Sequence, residues 1–321
     1  MRAVVCRQHG PPEVVTVEDM PPPALVERKV RVRVRAASVN FPDVLVVAGD
    51  YQLRVATPFI PGSDFAGVVA EVGGGVDGLV VGDRVSGMGL YGAFAEEAVV
   101  AARGLTRIPD GVDDRSAAAF GVGHRTAYHA LRSVARIQSG DEVIVLGAGG
   151  GVGLAAVQLG TVLGASVTAV ASSAEKLAAA KAAGARVLID HRAGDLRQSL
   201  REAHPDGAAA VLDPVGGDLS APALRSLRRG GRFVTIGYAS GVIPRIPLNL
   251  VLVKGIEVHG LQLQDLARKE EFQRVEIELS DLLATGRALP HIGATYPLEQ
   301  AATALRHVAD GHAIGKVVLD L

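Results

Sequence analysis

The segment Leu146–Gly160, LGAGGGVGLAAVQLG, is the strongest chemical signal in the chain. A pyrophosphate needs close backbone approach with no Cβ atoms in the way, and it gains from the positive end of a helix. Glycines supply the first condition, and an apolar helix predicted from near Gly153 supplies the second. The strict G-x-G-x-x-G spacing is not met: from 148 the loop reads Ala148-x-Gly150-x-x-Gly153, and from 147 it reads G-x-x-G-x-x-G. Position carries the reading. The loop follows the strand VIVL and opens an apolar helix, where dinucleotide binding by Gly147, Gly150, Gly151, Val152 and Gly153 is expected. The alternative is a glycine-rich turn without a ligand.

The next strand bears on which dinucleotide is bound. A site for NAD places a carboxylate about 20 residues on, to bind the ribose 2′-hydroxyl. Here that stretch reads Ala171-Ser172-Ser173, with Lys176 following and Arg192 after the third strand. No acid repels a 2′-phosphate, and two hydroxyls with an ammonium suit one, so NADPH is expected. The alternatives are a helix N-cap for Ser172 or Ser173 and an ordinary solvated charge for Lys176.

Other chemistries lack their residues. Cys6 is the single cysteine, which excludes an intrachain disulfide and a thiolate zinc cluster. There is no H-E-x-x-H, no G-x-S-x-G and no G-K-[ST]. No tyrosine has a lysine four residues later: the partners are Val55, Ala95, Arg132, Val242 and Gln300. Net charge is −1, from 33 basic and 34 acidic residues, and aromatics are 4% with no Trp. Nothing there favours a nucleic-acid partner. The uncharged stretch Val143–Ala174 is long enough to span a bilayer, but its seven glycines argue for strand, turn and helix instead. The polar N-terminus MRAVVCRQHG lacks a secretory apolar core, so a cytoplasmic protein is expected.

The elements that must position the loop follow from periodicity. With 321 residues, about two domains are expected. Residues 1–120 read as all-β: KVRVRVRAASV alternates strictly, FAGVVAEV and GDRVSGM are short strands, and PPP and PFIPG punctuate loops. DDRSAAAFGVGHRTAYHALRSVA is helix-forming with an Asp cap. From 141 apolar strands alternate with helices, including LSAPALRSLRRGG as a helix and RFVTIGY as a strand, which predicts a doubly wound parallel sheet. KEEFQRVEIELSDLLATG, from Lys269, reads as a helix, followed by a short helix near 298–309 and a final strand, GKVVLDL. The predicted division is 1–120, 121–260 and a return segment 261–321.

In this order ASVNFPD, PGSDFAGVV, GDRV, RTAYHAL, GAGGGVGLAAVQLG, ASSAEKL and LDPVGG resemble the medium-chain dehydrogenase/reductase superfamily, in its zinc-free NADPH:quinone oxidoreductase branch, the ζ-crystallin-like proteins. The resemblance runs from VEDMPPP to GKVVLDL. It implies an α/β fold: a Rossmann domain with its doubly wound parallel sheet, plus a GroES-like β-barrel catalytic domain built from both chain ends. NADPH is then expected in the cleft between them. Zinc-dependent relatives place Cys where this chain has Asn40 or its neighbour, His-Glu at Ser63-Asp64, and a second Cys near Val122. With none of these, and no counterpart of the four-cysteine loop between Gly82 and Arg103, no metal is expected.

The resemblance also places functional residues. Asn40, Asp43 and Tyr51 match polar cleft positions, with Asn40 and Tyr51 as hydrogen-bond donors to a carbonyl oxygen as hydride arrives. Turn chemistry around Phe41-Pro42 is the alternative for Asn40 and Asp43, and packing on Pro58 for Tyr51. Thr126, Gly237 and Lys316 match cofactor contacts near the nicotinamide, with a helix interior as the alternative for Thr126. His191 stands where the branch often has a tyrosine near the adenosine phosphate, with an imidazole contact or a solvent-facing position as the two readings. The expected activity is NADPH-dependent reduction of quinones or similar conjugated carbonyls. Reduction of an enone or enoyl-thioester C=C bond is the second reading, and a sensing, RNA-binding or structural NADPH protein the third. A homodimer pairing the sheet edge near Gly255–Gly260 is a further expectation.

Overall fold

The computed structural model describes residues 1–266 and 270–321. The chain forms two compact units, Met1–Val122 with Ile292–Leu321, and Gly123–His291.

The first unit opens with β1 (Arg2–Cys6) and β2 (Val15–Asp19), an antiparallel pair. In β3 (Lys29–Val39) the predicted alternation holds: Val30, Val32 and Val34 are buried while Arg33 and Arg35 are exposed. Burying such side chains contributes about 1.5–3 kcal/mol each. Next come α1 (Phe41–Ala48), β4 (Asp64–Val72), β5 (Arg84–Met88), β6 (Glu97–Ala101) and β7 (Leu105–Arg107). β3 and β4 approach so closely that a Cβ on Gly67 would lie 2.1 Å from the Arg33 carbonyl oxygen.

α1 corrects the all-β reading of residues 1–120. Its signals are local: Asn40 at the N-cap, Pro42 in the first turn, and Asp43 accepting the Asn40 backbone N–H at 2.7 Å. Val44, Val46 and Val47 bury its inner face, and Gly49, at φ 82°, ends it.

α2 (Asp114–His129) follows an Asp cap, as expected: Asp113 Oδ1 accepts from the Ser116 N–H at 2.9 Å. The helix continues as one wider turn, Ala130–Val134. Then come β8 (Glu142–Leu146), α3 (Gly151–Val162), β9 (Ser166–Ala171), α4 (Ala174–Ala182), β10 (Val187–Asp190), α5 (Leu196–Ala203), β11 (Ala208–Asp213), α6 (Ser220–Arg225), β12 (Leu227–Thr235), α7 (Leu248–Lys254), β13 (Glu257–Gly260), α8 (Leu263–Leu266) and α9 (Glu271–Ala284). The six strands form one parallel sheet in the order β10-β9-β8-β11-β12-β13. β8 and β11 are near-continuous apolar runs, as strands covered on both faces must be.

Two expectations change here. LSAPALRSLRRGG is not one helix: α6 stops at Arg225 and β12 begins at Leu227. Leu227 is buried as a strand residue, and the pairing shifts register opposite Ala208/Ala210 to take up the extra residues. The chain also returns to the first unit at Ile292 rather than at 261. α9 stays with the second unit because Glu276 pairs with Arg125 at 2.6 Å and with His129 at 3.1 Å. Glu278 pairs with Arg132 at 3.1 Å, and Phe272 stacks on His129 with ring centres 4.7 Å apart. Lys269, where this helix was predicted to begin, lies outside the described residues.

The return segment supplies β14 (Ile292–Pro297), α10 (Ala301–Ala309) and β15 (Lys316–Asp320). They complete a seven-stranded sheet, β14-β15-β3-β4-β5-β7, with β6 also pairing β3. Only the β14–β15 pairing is parallel. Among the described residues no helix is long and apolar enough to cross a membrane.

Candidate active site

In the second unit the glycine loop joins β8 to α3. Gly147 takes φ +59°, a left-handed conformation natural to glycine, and Gly150 N–H donates to its carbonyl at 3.0 Å. A Cβ on Gly153 would sit 2.1 Å from Gly147 O and 2.9 Å from Ala148 Cα. The turn therefore closes onto the first turn of α3, which only glycine at 153 permits. No side chain caps α3 at Gly150, so the leading N–H groups of Gly151, Val152 and Gly153 form a cradle suited to phosphate oxygens. These residues fit a dinucleotide pyrophosphate.

Ser173 caps α4: its Oγ accepts from the Lys176 N–H at 3.4 Å, so the N-cap alternative is realised. The Lys176 stem crosses the loop, since a Cβ on Gly149 would lie 2.5 Å from both its Cβ and its Cγ. Burial, then the positive charge of Arg192, pulls the Lys176 pKa below the ordinary lysine value. The same two causes lower His191, opposed by Asp190. Asp190 spends one carboxylate oxygen on the Arg192 backbone N–H at 2.8 Å. Lys176 and Arg192 thus bring two positive charges into one neighbourhood with His191, whose neutral form burial favours. Ser172 lies between this group and the end of β9.

Thr126 is buried within α2, which is the helix-interior alternative. Gly237 follows β12, with its N–H 3.4 Å from the Asp213 carbonyl. Asp213 itself went unremarked in the sequence. Its side chain accepts from the N–H groups of Val215 at 2.9 Å and Gly216 at 2.8 Å, and from Ser220 Oγ at 2.5 Å. Asp followed by Pro and Gly-Gly was the available signal. Buried His204 was also missed: it bridges Thr168 Oγ1 at 2.9 Å and Glu142 Oε2 at 2.7 Å.

In the first unit a buried polar cluster gathers Asn40, Asp43, Ser63, Asp64 and Lys316. Asn40 Nδ2 donates to Asp64 Oδ2 at 2.9 Å and to Ser63 Oγ at 3.1 Å. Lys316 Nζ donates to Asn40 Oδ1. Asp64 also accepts the Val122 N–H at 3.0 Å, so the positions compared above with zinc ligands are bonded to one another. Burial pushes the Asp43 carboxyl up to about 7, despite hydrogen bonds from Asn40 and Ser63. Burial pushes the Lys316 ammonium down, against the carboxylates of Asp64 and Asp43.

Asn40 turns its amide hydrogens inward, because Lys316 claims its carbonyl oxygen. Lys316 is enclosed with its ammonium on Asn40. Tyr51 is partly buried against the first unit's core, and its N–H donates to Leu45 O at 3.2 Å, at the end of α1. Among the described residues no group of three or more His, Cys, Asp or Glu could hold a metal ion.

Residues 26–110 match the family described as alcohol dehydrogenase GroES-like domain, and residues 151–281 match zinc-binding dehydrogenase. A quinone oxidoreductase-like protein 2 from Bos taurus is 37% identical, over 100% of this chain and 92% of the relative. Quinone oxidoreductase from Homo sapiens is 31% identical, over 99% and 97%. The crystal structure of Escherichia coli quinone oxidoreductase complexed with NADPH has a TM-score of 0.93 at 29% identity, with 100% of each chain covered.

Proposed function

The chain belongs to the medium-chain dehydrogenase/reductase family, among quinone oxidoreductase-like proteins, and from that premise we propose that it is an NADPH-dependent oxidoreductase that passes hydride to quinones or similar conjugated carbonyls without zinc. One observation supports the cofactor choice: Lys176, whose stem crosses Gly149, and Arg192 bring two positive charges together beside a cradle that only glycine permits.

The bound cofactor supplies a hydride from its nicotinamide ring. The chain supplies binding and polarity. Gly147, Gly150, Gly151, Val152 and Gly153 hold the pyrophosphate through backbone N–H groups. Ser172, Ser173, Lys176 and Arg192, with His191, hold the 2′-phosphate. Thr126 and Gly237 line the nicotinamide end. Tyr51 donates to the acceptor's carbonyl oxygen as charge develops there. Asn40 and Asp43 order the segment that carries it. An acceptor as electron-poor as a quinone takes hydride readily, so no metal is required.

We further propose a cytoplasmic homodimer joined along β13. That strand is an outer edge of the parallel sheet. Leu248, Leu252 and Val253 of α7, which precedes it in the chain, are 62–84% exposed, an apolar area that a second copy would cover.

The test is NADPH oxidation with a panel of quinones, enones and enoyl thioesters. The reading expects turnover on quinones. Turnover confined to C=C acceptors transfers the activity to the second class, and NADPH binding without turnover on any acceptor transfers it to a binding role.

A further inference from the structure

Asn40 with Asp43, Asp64 and Lys316 come from three separate parts of the chain and meet in one enclosed pocket, each at most 6% exposed. Among the described residues Lys316 is the one lysine or arginine classed as buried. An ammonium is almost never enclosed unless it is paired, because leaving water is strongly unfavourable. Here it donates to Asn40 Oδ1 and faces the charges of Asp64 and Asp43.

An asparagine amide turned by half a circle exchanges its oxygen for its nitrogen. This pocket admits one orientation. Lys316 has only hydrogens to offer and requires the oxygen. The Asp64 carboxylate accepts, and so requires the nitrogen. The Asn40 backbone N–H is held in turn by Asp43 at 2.7 Å. Asn40 is the N-cap of α1, and the other end of that eight-residue helix receives the Tyr51 N–H at Leu45 O. Lys316, Asn40, α1 and Tyr51 therefore form one connected line of contacts within the first unit.

We propose that Lys316 is a positioning residue, a cation built into the chain that balances the Asp43–Asp64 pocket, locks the Asn40 amide, and so sets the α1–Tyr51 segment for reduction. The role in turnover rests on the function proposed above; the cation pocket does not. Groups facing Asp43 agree with the geometry: Asn40 and Ser63 donate to it, Lys316 favours its ionised form and Asp64 opposes it.

The test compares Lys316→Met, which keeps length and removes charge, with Lys316→Ala, which leaves room for a free amine. Lys316→Met is expected to lower kcat at least tenfold with a quinone, with NADPH affinity within twofold of the parent. Lys316→Ala is expected to lose kcat equally and to regain it saturably with ethylammonium. Tetramethylammonium, which has no N–H to donate, is expected to restore nothing. Unchanged kcat in Lys316→Met overturns the positioning role, and so does a loss that no amine restores. Thermal melting of Lys316→Ala separates this inference from the function. A melting temperature that rises with ethylammonium but not with tetramethylammonium supports the pocket even if the parent turns over no acceptor. If Lys316→Ala does not fold alone, recovery of soluble protein only when refolded in ethylammonium supports the pocket, and failure in every amine overturns it.

Discussion

Lys176→Ala is predicted to weaken NADPH binding far more than NADH binding. The lysine stem lies across Gly149, and burial together with Arg192 holds its pKa down. In the free protein its charge is therefore opposed by its surroundings, and a 2′-phosphate turns that opposition into attraction. A hydrogen bond to a charged group contributes about 1.5–3 kcal/mol. At about 1.4 kcal/mol per tenfold, the substitution should raise the NADPH Kd about 10- to 150-fold. NADH has no group at that place, so its Kd should change less than about threefold. The assay is equilibrium titration of both cofactors, followed by nicotinamide fluorescence at two salt concentrations. The NADPH preference of the parent should shrink as salt rises, because part of it is a screened interaction. Equal losses for the two cofactors, or no loss for NADPH, would refute the assignment.

Gly153→Ala should raise the Kd of both cofactors at least about tenfold, because its Cβ meets the Gly147 carbonyl at 2.1 Å and backbone cannot rotate away; with overpacking costing about 1–3 kcal/mol, thermal melting should fall alongside the titration. Asp43→Asn tests the buried carboxyl through pH. Its folded pKa, about 7, lies above the ordinary 3.8, so its contribution to stability is present at low pH and is lost as pH rises through that window. Denaturant unfolding should show the parent losing stability relative to Asp43→Asn between about pH 4 and pH 7, and a constant difference would contradict the assignment. Leu252→Asp combined with Val258→Lys should halve the mass seen by sedimentation, since both side chains are exposed, Val258 on the β13 edge and Leu252 on the neighbouring α7. An unchanged mass would place the interface elsewhere.

The legible parts of this molecule are those whose physical reason is local. The glycine loop declares itself because Gly147 and Gly153 satisfy constraints only a few residues apart. The strands of the parallel sheet declare themselves because burial on both faces leaves apolar runs. α1 was also locally encoded: Asn40, Pro42 and Asp43 are the first turn of a helix, but they stand beside a long alternating strand and read equally as a turn. What the sequence hid was set by distant partners. α6 reads as a longer helix because the burial of Leu227 as a strand residue depends on β11. The late return at Ile292 depends on Arg125 and His129 holding Glu276 from 147–151 residues away in sequence. The Lys316 cluster is the clearest case. Lys316 meets Asn40 across 276 residues, and neither position alone signals a buried ammonium. The one available hint was a lysine heading KVVLDL, a strand whose next three residues are buried.

The most direct test of the central claim is turnover in metal-stripped protein. After exhaustive chelation and with less than stoichiometric metal by elemental analysis, the account predicts that NADPH oxidation by a quinone continues at the untreated rate, and that NADH supports it only at much higher concentration. Activity that disappears on chelation and returns with added zinc would contradict the account.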